Sequence, residues 1–302
     1  MTDEATLVIT DIKAALASSD DEAKQKPASL IVQGGELNGT LFDLPHGEST
    51  IGRAADSAIV LEFQGISRKH LQLNVNDDDT TIAKDLGSSN GTYVNNSKIE
   101  GEVTLNKGDI IKLGAIALKY LPPGDPERLT YDKLNEEANT DGLTKCYNKM
   151  YFNKAIELEV KKSKLTGKPL CLIIFDLDHF KHLNDNYGHD AGDYVLREMA
   201  QLIRKNGVRA NDTFARYGGE EFVILLPQTN LKQGFEIAER LRKLVEGYDF
   251  IYEDQKLPVT ASIGIADYRK GVNNGTDLFK RADSAVYKSK EGGRNQVNFY
   301  RA

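Results

Sequence analysis

Two carboxylates, Glu220 and Glu221, directly follow the glycine pair Gly218-Gly219, and a third acid, Asp176, ends the apolar run Leu170–Phe175. Converging carboxylate oxygens of this kind hold a hard divalent cation against the phosphates of a nucleotide. Side chains alternate along a strand, so Asp176 and Asp178 share one face and Leu177 points away. Gly218-Gly219 reads as a two-residue hairpin turn with positive φ at both positions, which sets Glu220 and Glu221 at the start of the returning strand. Acids clustered on adjacent strands repel one another unless a cation neutralises them. Taken singly, each stretch is ordinary turn chemistry; their combination points to a metal-assisted reaction on a nucleotide.

The elements that must position these groups follow from the pattern of the chain. With 302 residues it has room for about two domains of roughly 100–200 residues each. Residues 1–27 are expected to be a flexible acidic leader. Residues 28–121 carry short β-rich runs at Ser29–Val32, Thr40–Leu44, His70–Val75, Asp109–Leu113 and Ile116–Tyr120. Gly, Asn and Asp clusters punctuate them, which indicates an all-β sandwich. Pro122-Pro-Gly-Asp-Pro126 breaks the chain, and residues 122–137 read as a linker helix. From 138 to 302, strands at Leu170–Phe175, Thr213–Tyr217, Glu221–Leu226 and Val259–Ile265 alternate with amphipathic helices at Ala191–Lys205, Leu231–Glu246 and Thr276–Lys290. The last helix has Thr276 or Asp277 as its expected cap. The apolar run before Asp176 marks a central strand, so the fold class is multidomain, an all-β sandwich followed by an α/β domain.

A net charge of −6 does not favour nucleic acid or an anionic membrane as partner. The cysteines are Cys146 and Cys171, one of them in an apolar run, which fits a reducing compartment without disulfides. The acidic start lacks the features of a signal peptide, and no apolar run reaches the ~18 residues of a bilayer span. A cytoplasmic location is expected.

The C-terminal region resembles the GGDEF family of diguanylate cyclases over roughly residues 138–302, with Gly218-Gly-Glu-Glu-Phe222 as its signature. Asp141-Gly-Leu-Thr144 with Asn148, Phe175-Asp-Leu-Asp-His-Phe-Lys181, Gly188-His-Asp-Ala-Gly-Asp193, Thr260–Ile265 and Gly293-Arg-Asn295 match further motifs in order. The resemblance implies a palm-like nucleotidyl-cyclase fold and synthesis of cyclic di-GMP from two GTP by facing domains of a homodimer. It implies that Asp176, Glu220 and the carbonyl of Leu177 hold Mg²⁺ or Mn²⁺, with Glu221 as a further ligand or base. Lys181, Lys290 and Arg294 would contact the triphosphate. Asn184 and Asp193 would read guanine, the alternative for Asp193 being a helix N-cap. Arg209-Ala-Asn-Asp212 matches an R-x-x-D site for inhibitory cyclic di-GMP, with Arg240 as auxiliary, although such a pair is also an ordinary surface ion pair. Glu220 stands where the family often has Asp, and Lys145–Met150 departs from the common pattern.

Ile51-Gly-Arg53, Ser67-Arg-Lys-His70 and Asp85–Asn95 resemble the forkhead-associated (FHA) family over about residues 28–121. That resemblance implies phosphothreonine binding. Arg53 and Arg68 would give charge-assisted bonds, Ser67 and Ser89 donors, and Asn90 a contact to the peptide backbone. His70 would order the loop from inside. The ligand is expected to be a partner protein or the chain's own leader, phosphorylated at Thr2, Thr6 or Thr10.

Overall fold

A computed structural model describes residues 24–35, 37–269 and 271–300. The chain divides into two units, residues 1–136 and 137–302. Thr2, Thr6 and Thr10 lie outside the described residues.

The first unit is built from Ala28–Gln33 (β1), Leu41–Leu44 (β2), Gly47–Gly52 (β3), Ile59–Val60 (β4), Leu71–Val75 (β5), Thr81–Asp85 (β6), Thr92–Val94 (β7), Ser97–Lys98 (β8), Glu102–Leu105 (β9), Ile110–Leu113 (β10) and Ile116–Leu121 (β11). One sheet runs β2-β1-β11-β10-β7-β8 and the other β4-β3-β5-β6-β9. Alternating inward residues, among them Leu30, Ile51, Leu71, Leu73, Ile111 and Leu118, make the core between them. Tyr120 on one sheet donates its buried hydroxyl to Thr81 Oγ1 on the other at 2.7 Å, so both buried hydroxyls are satisfied. Glu127–Asn139 (α1) begins on this unit: buried Arg128 bonds Asp43 at 2.7 Å and Asp132 at 2.9 Å. Lys26, read from sequence as leader, is tied to Asp132 at 3.0 Å.

The second unit contains Lys149–Thr166 (α2), Leu170–Leu177 (β12), Phe180–Tyr187 (α3), His189–Asn206 (α4), Thr213–Gly218 (β13), Glu221–Pro227 (β14), Leu231–Gly247 (α5), Phe250–Tyr252 (β15), Gln255–Leu257 (β16), Ala261–Asp267 (β17), Gly275–Glu291 (α6) and Val297–Phe299 (β18). The main sheet has the order β13-β14-β12-β17-β18. Every residue of β12 is buried, as a central strand requires. Its Ile173, Phe175 and Leu177 pack with α4 and α5, while Leu172 and Ile174 pack with α2 and α6. The sheet is therefore sandwiched between two helical layers, and Asp176 falls on the α2–α6 face.

Two local expectations are corrected, and the capping alternative for Asp193 is set aside. The hairpin turn is Gly219-Glu220, since Gly218 still pairs with Glu221 after a bulge, and of the glycine pair only Gly219 has positive φ, 51°. Glu220 thus sits in the turn and not on the returning strand. Helix α6 is capped by Asn274, whose side chain accepts from Asp277 N–H at 2.9 Å, so neither Thr276 nor Asp277 is the cap. Gly188, not Asp193, precedes α4 as its N-cap.

Helix α6 lies directly on β17 at Gly264. A Cβ there would stand 2.2 Å from Val286 N and 2.3 Å from Ala282 O, both backbone atoms that cannot rotate away. Gly264→Ala is expected to cost about 3 kcal/mol by overpacking. Urea unfolding would register this as a lower midpoint; an unchanged midpoint would contradict the close approach.

Candidate active site and phosphate-binding cavity

Asp176 and Glu221 are direct cross-strand partners on β12 and β14. Glu220 precedes Glu221 in the turn, where its carbonyl accepts from Leu177 N–H at 3.4 Å. Lys290, in the last turn of α6, places its ammonium 2.8 Å from Asp176 Oδ2. Burial pushes the Asp176 carboxyl up to about 6, against the pull of Lys290 and with the help of Glu220 and Glu221. Glu221 is raised as well, first by burial, then by Asp283 and Glu220, with Lys290 and Lys149 opposing. The three acids are held at the sheet rim in mutual repulsion.

Arg216 fixes the turn: its Nε donates to Gly219 O at 2.9 Å and its Nη1 to Asp141 Oδ1 at 3.1 Å. Asp141 also accepts from the N–H and hydroxyl of Thr144, at 2.8 and 2.7 Å. Burial alone would raise Asp141, but these donors hold it below the usual carboxylate range. Asp178, left without a role by the sequence reading, accepts from Thr260 Oγ1 at 2.8 Å, Ser262 Oγ at 2.6 Å and Asn295 N–H at 3.0 Å. It ties the end of β12 to β17 and to the loop after α6. Its hydroxyl partners in Thr260–Ser262 were legible only as a motif match.

Carboxylates and a backbone carbonyl form a hard oxygen donor set that fits Mg²⁺ or Mn²⁺ and does not suit a soft metal. Among the described residues no three such side chains already stand in ligand geometry; Lys290 supplies the cation at Asp176 instead.

On the opposite side of the β12 end, Asn184 on α3 has a buried Oδ1 with no partner among the described residues. Gly192 on α4 makes room for it, since a Cβ there would lie 1.9 Å from that oxygen. Asp193 is exposed one residue further along α4, and Lys181 and Arg294 are exposed on α3 and after α6. An unpaired buried amide oxygen marks a place for a ligand donor.

Arg209 and Asp212 lie where β13 begins and β14 ends, away from the Glu221 end of β14, and Arg240 on α5 shares a cavity with Arg209. Arg209 Nη2 contacts Asp212 Oδ1 at 2.8 Å and Thr229 Oγ1 at 2.9 Å. Arg209, Arg240, Thr229, Gln233 and Glu236 line a cavity of about 440 Å³.

In the first unit, Arg53, Ser67, Arg68, Ser89 and Asn90 all line a cavity of about 1090 Å³ at one end of the sandwich. Gly52 allows this wall to form: a Cβ there would lie 2.1 Å from Arg68 O. The backbone then joins, with Arg53 N–H on Ser67 O at 3.0 Å. His70 is fully buried, and its Nδ1 accepts from Ser67 N–H at 3.1 Å. Its Nε2 therefore carries the proton and donates to Gly91 O at 3.3 Å. Ser67 Oγ accepts from Ser89 N–H at 3.1 Å, and Asn90 Nδ2 donates to Gly65 O at 2.9 Å. Two arginines and a serine on one concave wall suit a phosphate.

The model of the diguanylate cyclase GGDEF domain matches residues 138–296, and that of the FHA domain residues 49–114. The chain belongs to the GGDEF family. Its GGDEF domain is preceded by an FHA domain, and the sandwich and α/β units are their folds. Diguanylate cyclase A of Treponema denticola is 40% identical over 168 residues, 55% of this chain and 45% of that protein. The response regulator PleD of Caulobacter vibrioides is 42% identical over 172 residues, 56% of this chain and 38% of that protein. This chain thus matches less than half the length of these relatives. The coiled coil and GGDEF domain of DgcB from Caulobacter crescentus, crystallised with c-di-GMP, aligns with a TM-score of 0.54 at 31% identity, covering 57% of this chain and 91% of that one.

A carboxyl raised to about 6 sets the direction of a pH effect. Between the ordinary carboxylate value and about 6, folded Asp176 keeps a proton that the unfolded chain has lost. Its contribution to stability therefore falls as pH rises through that window, whereas cation binding needs the ionised form and strengthens. Mn²⁺ is expected to bind the protein about tenfold more weakly at pH 5 than at pH 7. Calorimetric titration at both values tests this, and equal affinities would show that Asp176 is not a ligand.

Proposed function

We propose that the protein is a diguanylate cyclase that condenses two GTP into cyclic di-GMP with release of two pyrophosphates. The observation that carries this reading is the placement of Asp176 opposite Glu221, beside Glu220, at the end of a buried strand. The 3′-oxygen of each GTP forms a bond to the α-phosphorus of the other, and the bond from that phosphorus to the pyrophosphate oxygen breaks. Each domain binds one GTP, so two copies of the chain must face each other during turnover. Asp176, Glu220 and the Leu177 carbonyl hold Mg²⁺ or Mn²⁺, with Glu221 as further ligand or as the base that takes the hydroxyl proton. The cation, when bound, lowers the hydroxyl pKa and stabilises charge on the phosphoryl oxygens.

The remaining residues bind and orient. Lys290 exchanges its contact with Asp176 for phosphate oxygens, joined by Lys181 and Arg294. Asn184, whose Oδ1 is unpaired, and Asp193, free of any capping role, accept from the N1–H and exocyclic amine of guanine. Adenine offers no such pair of donors. Arg209 and Asp212, with Arg240, take up product cyclic di-GMP and restrain turnover. The FHA cavity receives a phosphothreonine through Arg53, Ser67 and Arg68, with Ser89 and Asn90 on the peptide, either from a partner protein or from the leader. We place the protein in the cytoplasm, which accords with its two buried free cysteines. Among the described residues no helix is long and apolar enough to cross a membrane.

Mass spectrometry of the product formed from GTP and Mg²⁺ tests the activity. Glu221→Gln removes charge with little change of volume and is expected to lower turnover by at least about a hundredfold at an equal or higher melting temperature, since it relieves a buried like charge. Wild-type rates in this folded variant would exclude the assigned role.

Arg209→Ala is expected to leave the initial rate within about twofold while raising the cyclic di-GMP concentration for half-inhibition by about tenfold or more. Progress curves with added product would show it. Undiminished inhibition would leave Arg209 and Asp212 as a surface ion pair.

A further inference from the structure

We propose that Asn295 is the positioning residue for the phosphate-binding end of the active site, acting through Arg294. The inference rests on the reading of Arg294 as a triphosphate ligand, and concerns what holds that arginine in place.

Gly293, Arg294 and Asn295 all have positive φ, at 111°, 66° and 43°. Two consecutive non-glycine residues in this region are costly for L-amino acids and persist only where neighbours over-determine them. Asn295 supplies those restraints. Its Oδ1 accepts from Arg242 Nη1 at 2.8 Å, and its Nδ2 donates to Glu246 Oε1 at 2.7 Å. Its backbone N–H donates to Asp178 Oδ2 at 3.0 Å. Arg242 is itself fixed by Glu246 at 2.9 Å and Glu239 at 3.2 Å.

One residue thus joins three elements: the α5 surface, the end of β12 two positions past Asp176, and the turn bearing Arg294. The side chain of Arg294 is exposed, and its own backbone bond runs to Ser289 O at 3.0 Å. Its direction is therefore set by the left-handed turn, and the turn by Asn295. Holding the backbone that carries this cation saves part of the entropy of ordering it when the phosphates arrive. Asparagine suits the position twice, since it tolerates positive φ and its amide both accepts and donates.

The test uses Asn295→Gly, which tolerates the positive φ and keeps the N–H that bonds Asp178 but removes both side-chain bonds, so the turn loses its restraint without steric strain. Binding of 3′-deoxy-GTP, which lacks the attacking hydroxyl, is measured by calorimetry with Mg²⁺, alongside thermal melting and GTP kinetics. Asn295→Gly is expected to bind about tenfold more weakly and to raise KM for GTP similarly, with kcat within about twofold. Glu246→Ala, at an exposed partner, should weaken binding about threefold. In an Arg294→Ala background, Asn295→Gly should have no further effect, since it acts through that arginine. Wild-type binding by Asn295→Gly, or an equal loss in both backgrounds, overturns the proposal while leaving the nucleotide reading standing. Failure of the wild-type protein to bind the analogue overturns both.

Discussion

Like charges gathered at the end of an apolar sheet are the constraint on which the catalytic unit depends. Asp176, Glu220 and Glu221 would spread apart in a compliant structure. They stay together because β12 is buried along its whole length and is paired on both sides, with β14 and β17. The repulsion is offset by Lys290, and Lys290 is held by the packing of α6 against Gly264, where helix and strand backbones nearly touch. Burial first, and then the neighbouring acids, raise the carboxyls of Asp176 and Glu221. A cation that relieves such repulsion gains affinity from strain already present in the folded chain.

Around this cluster the polar groups that brace the site are themselves fully engaged. Arg216 locks the signature turn to Asp141, and Asp178 gathers Thr260, Ser262 and Asn295. Asp178 is buried, and in that low dielectric each of its bonds is stronger and each loss costs more than in water. Asn184 is the contrast, with a buried oxygen left unpaired in a space cleared by Gly192. Groups that brace the site are paired; the group proposed to read guanine is not.

Much of this was legible in the chain. The central strand, the amphipathic stripes of α4, α5 and α6, and the acids at the rim follow from local periodicity and from side-chain chemistry. The misplacements are equally local: the hairpin turn slipped by one residue because a bulge after Arg216 changes the register, which depends on backbone geometry. Helix α2 went unremarked although Asn148 caps it and Gly167 ends it, because the intervening lysine-rich face masks Phe152, Ile156 and Val160. Helix α3 is short and lies among site motifs that read as a loop. Strands β3, β6, β7 and β9 mix polar residues with inward apolar ones, and pairing with neighbours in their own sheet settles them. Candidate contacts such as Arg53 with Ser89 could be named from sequence, yet their shared cavity is a property of the folded loops.

The hydroxyl of Ser67 has a consequence for how the FHA cavity responds to its occupant. Its oxygen already accepts from the Ser89 backbone, which leaves its own proton free to turn towards an anion. A phosphate that draws on that proton makes the oxygen a better acceptor, so the bond to Ser89 strengthens in step. The two walls of the cavity are wired in series through a single atom. A phosphate bound on one side would be felt by the loop on the other as a stiffening, without any residue having to travel.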